Sequence, residues 1–298
     1  MSHTHVAGFY ASEAEFRALV TPFVKEGGAV VVMHDVEKIR LLKSWLPGSE
    51  SITFLPATGM YTTPARTIAA CRRLFDQLLA NGAKEIRITG AVPHPGTGHR
   101  FDGWDRYESA ANTIWSSYPL HSLCLYDATT TPPPVRDVVE RTHPTLVTGT
   151  GPAANPRFDP AFTSLPATPD PLEDDPPATT LVNPSPVDAR RAVEDAARAR
   201  VLDIVTADLV FGVSEATTNA ILHGTPPVTL RLWTTPTRVV VHVTDSGPGP
   251  RDPHAGLIPA ARVQGGLGLW LTHQLDIEVG LITTPDGFTI RLRGGELP

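Results

Sequence analysis

Cysteine is nearly absent from this chain. There are two, Cys71 in the helix-like PARTIAACRRLFDQLLANG and Cys124 in the apolar run LCLYD. That excludes a disulfide-built scaffold and leaves reduced, buried thiols as the expectation. No stretch approaches the roughly 18 apolar residues needed to cross a bilayer, and no basic segment followed by an apolar run opens the sequence. A cytoplasmic protein without a membrane partner is expected. Blocks of lysine and arginine are missing as well, and the net charge is −6. This removes the basic footprint of a nucleic-acid binder and points to protein and small-molecule partners. No internal repeat joins the two halves. What is present is globular composition, 41% hydrophobic and 19% charged over 298 residues, a length that suggests two domains.

Proline and glycine are in excess, 30 and 24 residues, and unevenly placed. The densest run, TSLPATPDPLEDDPPATTLVNPSP at 163–186, is acidic and lacks helical or strand periodicity, so it reads as a semi-extended linker. The expected division is a first domain over 1–162, a linker over 163–177 and a second domain over 178–298.

Before the linker, the short β-rich runs AVVVM (29–33), SITFL (51–55), EIRIT (85–89) and LCLYD (123–127) alternate with helical stretches. That order implies βαβ units and a largely parallel sheet. PPPVRDVVERTHP adds a helix opened by proline, and TLVTG is a candidate further strand. After the linker come two helices, DARRAVEDAARARVLDIV and ADLVFGVSEATTNAILHG, then a hairpin, a helix GLGLWLTHQLD and a second hairpin. Hairpins make antiparallel strands, so the second domain is an α/β sandwich of a different kind.

The helix at 207–223 holds the first chemical signal. Leu209, Val213, Ala216 and Ala220 form one apolar stripe, and Glu215 lies about 200° of rotation from Val213. Glu215 and Asn219 therefore share a face turned away from the core. His223 ends the same helix, where a cation or donor is favoured, and that capping role is preferred to catalysis. Two glycine-rich segments follow. VVVHVTDSGPGP sets Asp245, Gly247 and Gly249 directly after a strand, where a carboxylate can accept from an exocyclic amine and glycine admits a close ligand. GGLGLWLTHQL sets Gly266 and Gly268 at a helix entrance, where free N–H groups suit phosphate oxygens.

The ordered set, Glu-x-x-x-Asn on a helix, a strand ending in Asp-x-Gly-x-Gly, then Gly-x-Gly-Leu opening a helix, resembles the GHKL ATP-binding fold over about residues 178–298. That fold is shared by gyrase-type ATPases, histidine kinases and anti-sigma-factor serine kinases, and SEATTNAILHG looks like the asparagine box of the last group. The resemblance implies ATP and Mg²⁺ as cofactors, Glu215 as general base, and Asn219 as ligand of the metal bridging the phosphates. It gives Asp245 the adenine amine, and gives Gly247, Gly249, Gly266 and Gly268 the shaping of the adenine pocket and lid. Residues 164–214 contain no histidine to act as a phospho-acceptor, which disfavours an autophosphorylating histidine kinase. The proline-bearing lid PRDPHAGLIPAARVQ keeps open an ATP-responsive interaction module without phosphotransfer.

The first domain, by HVAGFYASEAEF, RYE (Arg106, Tyr107, Glu108), LCLYD and THP (His143, Pro144), resembles the MEDS sensory domain over about residues 3–160. The resemblance implies a fold related to RecA-like ATPases with a decayed phosphate loop. KEGGAVVVM agrees, having Gly27 and Gly28 but no Gly-Lys-Ser/Thr. Asp127 at a strand end and Glu108 are candidate ligand contacts. His94, His99, Asp102 and Trp104 lie on the loop GAVPHPGTGHRFDGW, for which a solvent-exposed loop is preferred to a metal site. His5 is left without an assigned role. Together the resemblances imply a signalling regulator, a sensor fused to an anti-sigma factor and serine kinase. Its partners would be a sigma factor, an anti-anti-sigma protein, a small-molecule signal and a second copy of the chain.

Overall fold

A computed structural model describes residues 3–46, 48, 51–198, 203–259 and 267–295. They form two compact units, Met1–Leu165 and Pro166–Pro298.

The first unit is built on a seven-stranded sheet in the order β3-β2-β4-β5-β1-β6-β7. Its strands are β1 (Thr4–Tyr10), β2 (Ala29–His34), β3 (Thr53–Pro56), β4 (Ile86–Gly90), β5 (Leu120–Asp127), β6 (Thr145–Thr148) and β7 (Gly151–Ala154). All pair in parallel except β7, which runs antiparallel to β6 at one edge. Parallel neighbours need crossovers, and the helices supply them. These are α1 (Glu13–Lys25), α2 (Val36–Trp45), the single turn α3 (Ala57–Met60), α4 (Pro64–Ala80), α5 (Trp104–Ile114) and α6 (Pro133–Thr142). Ser12 accepts from Glu15 N–H to start α1, and Thr63 does the same for α4 through Arg66 N–H. β2 is buried along almost its whole length, which is why AVVVM reads as a continuous apolar run. The sheet is parallel as expected, with β1, α1 and β7 added to the elements legible in the sequence.

Gly27 and Gly28 are not a decayed phosphate loop. Both have positive φ, but they join α1 to β2, whereas a phosphate loop leaves a strand and opens a helix. The strand-to-helix turn of that kind lies after β1, at Ala11 and Ser12.

The second unit is a five-stranded antiparallel sheet in the order β11-β12-β10-β9-β8. It comprises β8 (Thr179–Val182), β9 (Thr229–Thr235), β10 (Arg238–Asp245), β11 (Glu278–Thr284) and β12 (Gly287–Gly295). Helices α7 (Pro186–Arg198) and α8 (Asp203–His223) bury one face, with Val193, Leu209 and Val213 packed on Leu230, Val241 and Leu292. α9 covers only Leu267–Thr272, shorter than the helix expected through GLGLWLTHQLD, because the chain turns after Thr272 to reach β11.

The other face of this sheet is covered by the run expected to be a linker. Asp170 is 1% exposed and binds both Arg238 and Arg293. Glu173 pairs with His242 and Arg291, Thr168 O accepts from Arg291 (2.8 Å), and Asp175 O accepts from the Trp233 indole (2.8 Å). Residues 168–175 are thus a strap on the sheet. Its acidic groups, which composition reads as solvated, meet arginines more than sixty positions away.

Candidate functional site

On α8 the buried stripe is as expected: Leu209 and Val213 are fully buried, Ala216 and Ala220 nearly so. Glu215 and Asn219 are half-buried, one helical turn apart on another face. His223 is the last helical residue and is exposed. Gly224 N–H donates to Ala220 O at 3.1 Å at this helix end.

The helix end is set against the end of β10. A side-chain carbon on Gly224 would lie 2.4 Å from Asp245 Cγ, so only glycine lets the two elements meet this closely. Asp245 is 5% exposed, and its Oδ1 accepts from Thr225 N–H (3.0 Å) and Gly247 N–H (2.7 Å). Both bonds fall on one oxygen, leaving Oδ2 as its open acceptor among the described residues. Gly249, at φ +79°, lies against the Phe288 ring, where a Cβ would come within 2.4 Å. Gly268 backs onto Glu215 so closely that a Cβ would sit 1.8 Å from Oε2. Gly266 lies outside the described residues. The structure therefore sets Asp245 and Gly247 by the end of α8 and Gly268 of α9 against Glu215, with Asn219 one turn along α8 and Gly249 packed on Phe288 of β12.

This donor and acceptor set fits a purine nucleotide. A buried carboxylate oriented by two backbone amides presents a fixed acceptor for an exocyclic amine, and glycines that tolerate no side chain keep the surrounding backbone close. A half-exposed carboxylate and amide one turn apart suit a metal and its phosphates.

In the first unit the sequence candidates separate. His94 and Trp104 are buried, while His99 and Asp102 stay at the surface, so the loop does not assemble them into one site. Asp127 remains at the end of β5, its Oδ1 accepting from Thr129. Glu108 is buried and lies instead by His5, Cys124 and His143. Sequence reasoning missed that grouping, because its four members come from four separate elements.

The chain is thus a parallel α/β unit followed by an antiparallel α/β sandwich. Residues 4–144 match the family model of the MEDS domain, described as the methanogen/methylotroph DcmR sensory domain. Residues 184–293 match the histidine kinase-like ATPase domain. The chain carries a MEDS sensory domain followed by a histidine kinase-like ATPase domain, the latter implying ATP as its ligand. Among solved structures it is similar to the histidine kinase domain from the Erythrobacter litoralis EL346 blue-light activated histidine kinase, at 19% identity and a TM-score of 0.26. That match covers 37% of this chain and 60% of the other. No curated protein matches the chain. Among the described residues, no helix is long and apolar enough to cross a membrane.

Proposed function

We propose that the chain is a cytoplasmic regulator in which the MEDS domain receives a signal and the ATPase domain binds Mg-ATP. In this reading the second domain sequesters a sigma factor and phosphorylates a serine of an anti-anti-sigma partner, working as a homodimer. The observation that carries it is Asp245, buried and fixed through Oδ1 with Oδ2 open, beside the end of α8, the helix that bears Glu215 and Asn219. Bound Mg-ATP would supply an activated γ-phosphoryl group. Asp245 would accept from the adenine amine, the Asn219 amide oxygen would ligate the metal, and Glu215 would take the proton of the attacking serine hydroxyl. Gly247, Gly249 and Gly268 would keep the backbone low around the nucleotide.

The contact of Glu215 Oε2 with Gly268 favours a second reading, an ATP-responsive interaction module in which the carboxylate serves to pack α9. Incubation of the full chain with γ-labelled ATP and a purified anti-anti-sigma protein separates the two. Label on a partner serine, lost in Glu215→Gln while ATP binding stays within about threefold, supports the kinase. ATP binding with no transfer to any such partner supports the module.

A further inference from the structure

The first unit contains a buried convergence of acceptors that the ATPase reading does not use. His5 on β1, Glu108 on α5, Cys124 on β5 and His143 after α6 each offer one ligand atom, all four atoms within 4.8 Å of one another. His5, Glu108 and His143 are 5%, 1% and 0% exposed, and Cys124 is partly buried. His5 Nε2 lies 3.4 Å from Glu108 Oε2 and 3.7 Å from Cys124 Sγ, and His143 Nε2 lies 3.7 Å from the same carboxylate oxygen.

The tautomers follow from the outer partners. Asn112 donates its amide to Thr142 O (2.8 Å), so its Oδ1 faces His5 Nδ1 at 3.1 Å and that nitrogen must carry the proton. His143 Nδ1 faces Val139 O at 2.8 Å and must likewise be protonated. Both Nε2 lone pairs are then turned on the Glu108 carboxylate. Acceptor faces acceptor, and Glu108 Oε2 and His143 Nε2 are buried without a hydrogen-bond partner. The three separations of 3.4–3.7 Å are those of ligand atoms around a tetrahedral metal with bonds of about 2.1–2.3 Å.

We infer that His5, Glu108, Cys124 and His143 form a metal site of the sensory domain, for a divalent cation of borderline softness such as Zn²⁺. One thiolate, two imidazoles and a carboxylate are the donor set of a tetrahedral zinc centre. The outer partners complete it: Asn112 and the Val139 carbonyl hold the imidazoles, and the Tyr126 hydroxyl donates to Glu108 Oε1. The Cys124 thiol, which burial first and Glu108 second push well up, loses its proton to solvent as its sulfur bonds the metal. The resulting cluster is neutral: a divalent cation, a thiolate, a carboxylate and two neutral rings. His5, Glu108 and Cys124 also line a cavity of about 40 Å³, with Phe75, Tyr107, Trp115 and Ser122 among its other walls.

The test is titration of metal-stripped full-length protein with Co²⁺, followed by displacement with Zn²⁺. The expected result is one equivalent bound with thiolate-to-cobalt charge-transfer absorption. The band should vanish in Cys124→Ser and persist in Cys71→Ser, the only other cysteine variant available. Asn112→Ala, which keeps all four ligands, should weaken binding about 10–100-fold. Far-ultraviolet circular dichroism checks that each variant is folded. Folded wild type that takes up no Co²⁺ or Zn²⁺ overturns the assignment, and this arm needs no variant. A band lost in folded Cys71→Ser but kept in folded Cys124→Ser also overturns it.

Discussion

Two buried polar clusters of this chain are each built around carboxylates and differ in how their charges meet. Under the strap, Asp170 and Glu173 face Arg238, Arg291, Arg293 and His242, donors against acceptors, and the carboxylates find guanidinium partners. Beneath α5, Glu108 faces two imidazole lone pairs and a thiol, with two atoms left unpartnered. Burial of polar groups is common to both. The complementary cluster is explained by holding the strap to the sheet, whereas the mismatched one needs a cation that the protein chain does not supply.

The contrast can be broken by substitution. The largest effect is expected at Asp170→Ala, which leaves Arg238 and Arg293 buried beside a void and should destabilise the second unit by about 3–5 kcal/mol in denaturant unfolding. If the loss were below about 1 kcal/mol, the strap would be an ornament of the sheet and the complementary cluster would have no structural role.

The pH dependence of the same cluster is next in size. Burial pushes the Glu173 carboxyl up, but the hydrogen bond and charge of His242, joined by Arg291, outweigh it and hold the group at about 2 against an ordinary 4.5. A folded pKa below the unfolded one means stability that is complete above 4.5 and drains away as pH falls toward 2. Glu173→Gln should therefore unfold more easily than wild type at pH 7, by about 1–3 kcal/mol, and the gap should narrow below pH 4.5 and close only as pH approaches 2. A gap that stayed constant across that range would show the glutamate acting by packing alone.

The smallest effect sharpens the comparison from the other side. Glu108→Gln keeps the oxygen that Tyr126 donates to and replaces the mismatched acceptor by a donor facing His143 Nε2. Metal-free protein should change by less than about 1 kcal/mol, and zinc should no longer raise the melting temperature. A large loss in the metal-free state would place Glu108 in a self-sufficient network like that of Asp170.

Legibility in the sequence followed distance along the chain. The α8 stripe and its opposite face are fixed by a four-residue period, and Asp245, Gly247 and Gly249 sit within one turn after a strand, so both could be read locally. The parallel and antiparallel sheets were legible for the same reason, from alternating elements and hairpins. The strap was not, because its acids and prolines resemble a solvated linker until Arg238, Arg291 and Arg293 are placed beneath them. His5 gave no signal near the start of the chain, and Cys124 looked like an inert thiol. Only the pairing of β1 with β5 in register, Ala7 opposite Cys124, sets both on one face under α5. Gly27 and Gly28 misled because a glycine pair marks a turn without saying whether it enters or leaves a strand.

The central claim, that the second domain is a nucleotide-binding module organised by Asp245, is tested most directly by calorimetry of Mg-ATP binding to the full chain and to Asp245→Asn. The account predicts one ATP per chain for the wild type. It predicts an affinity about 10–100-fold lower for the folded variant, whose amide would turn a donor or a weaker acceptor toward the adenine amine. A folded wild type that binds no ATP, or a variant that binds as well as wild type, would contradict it.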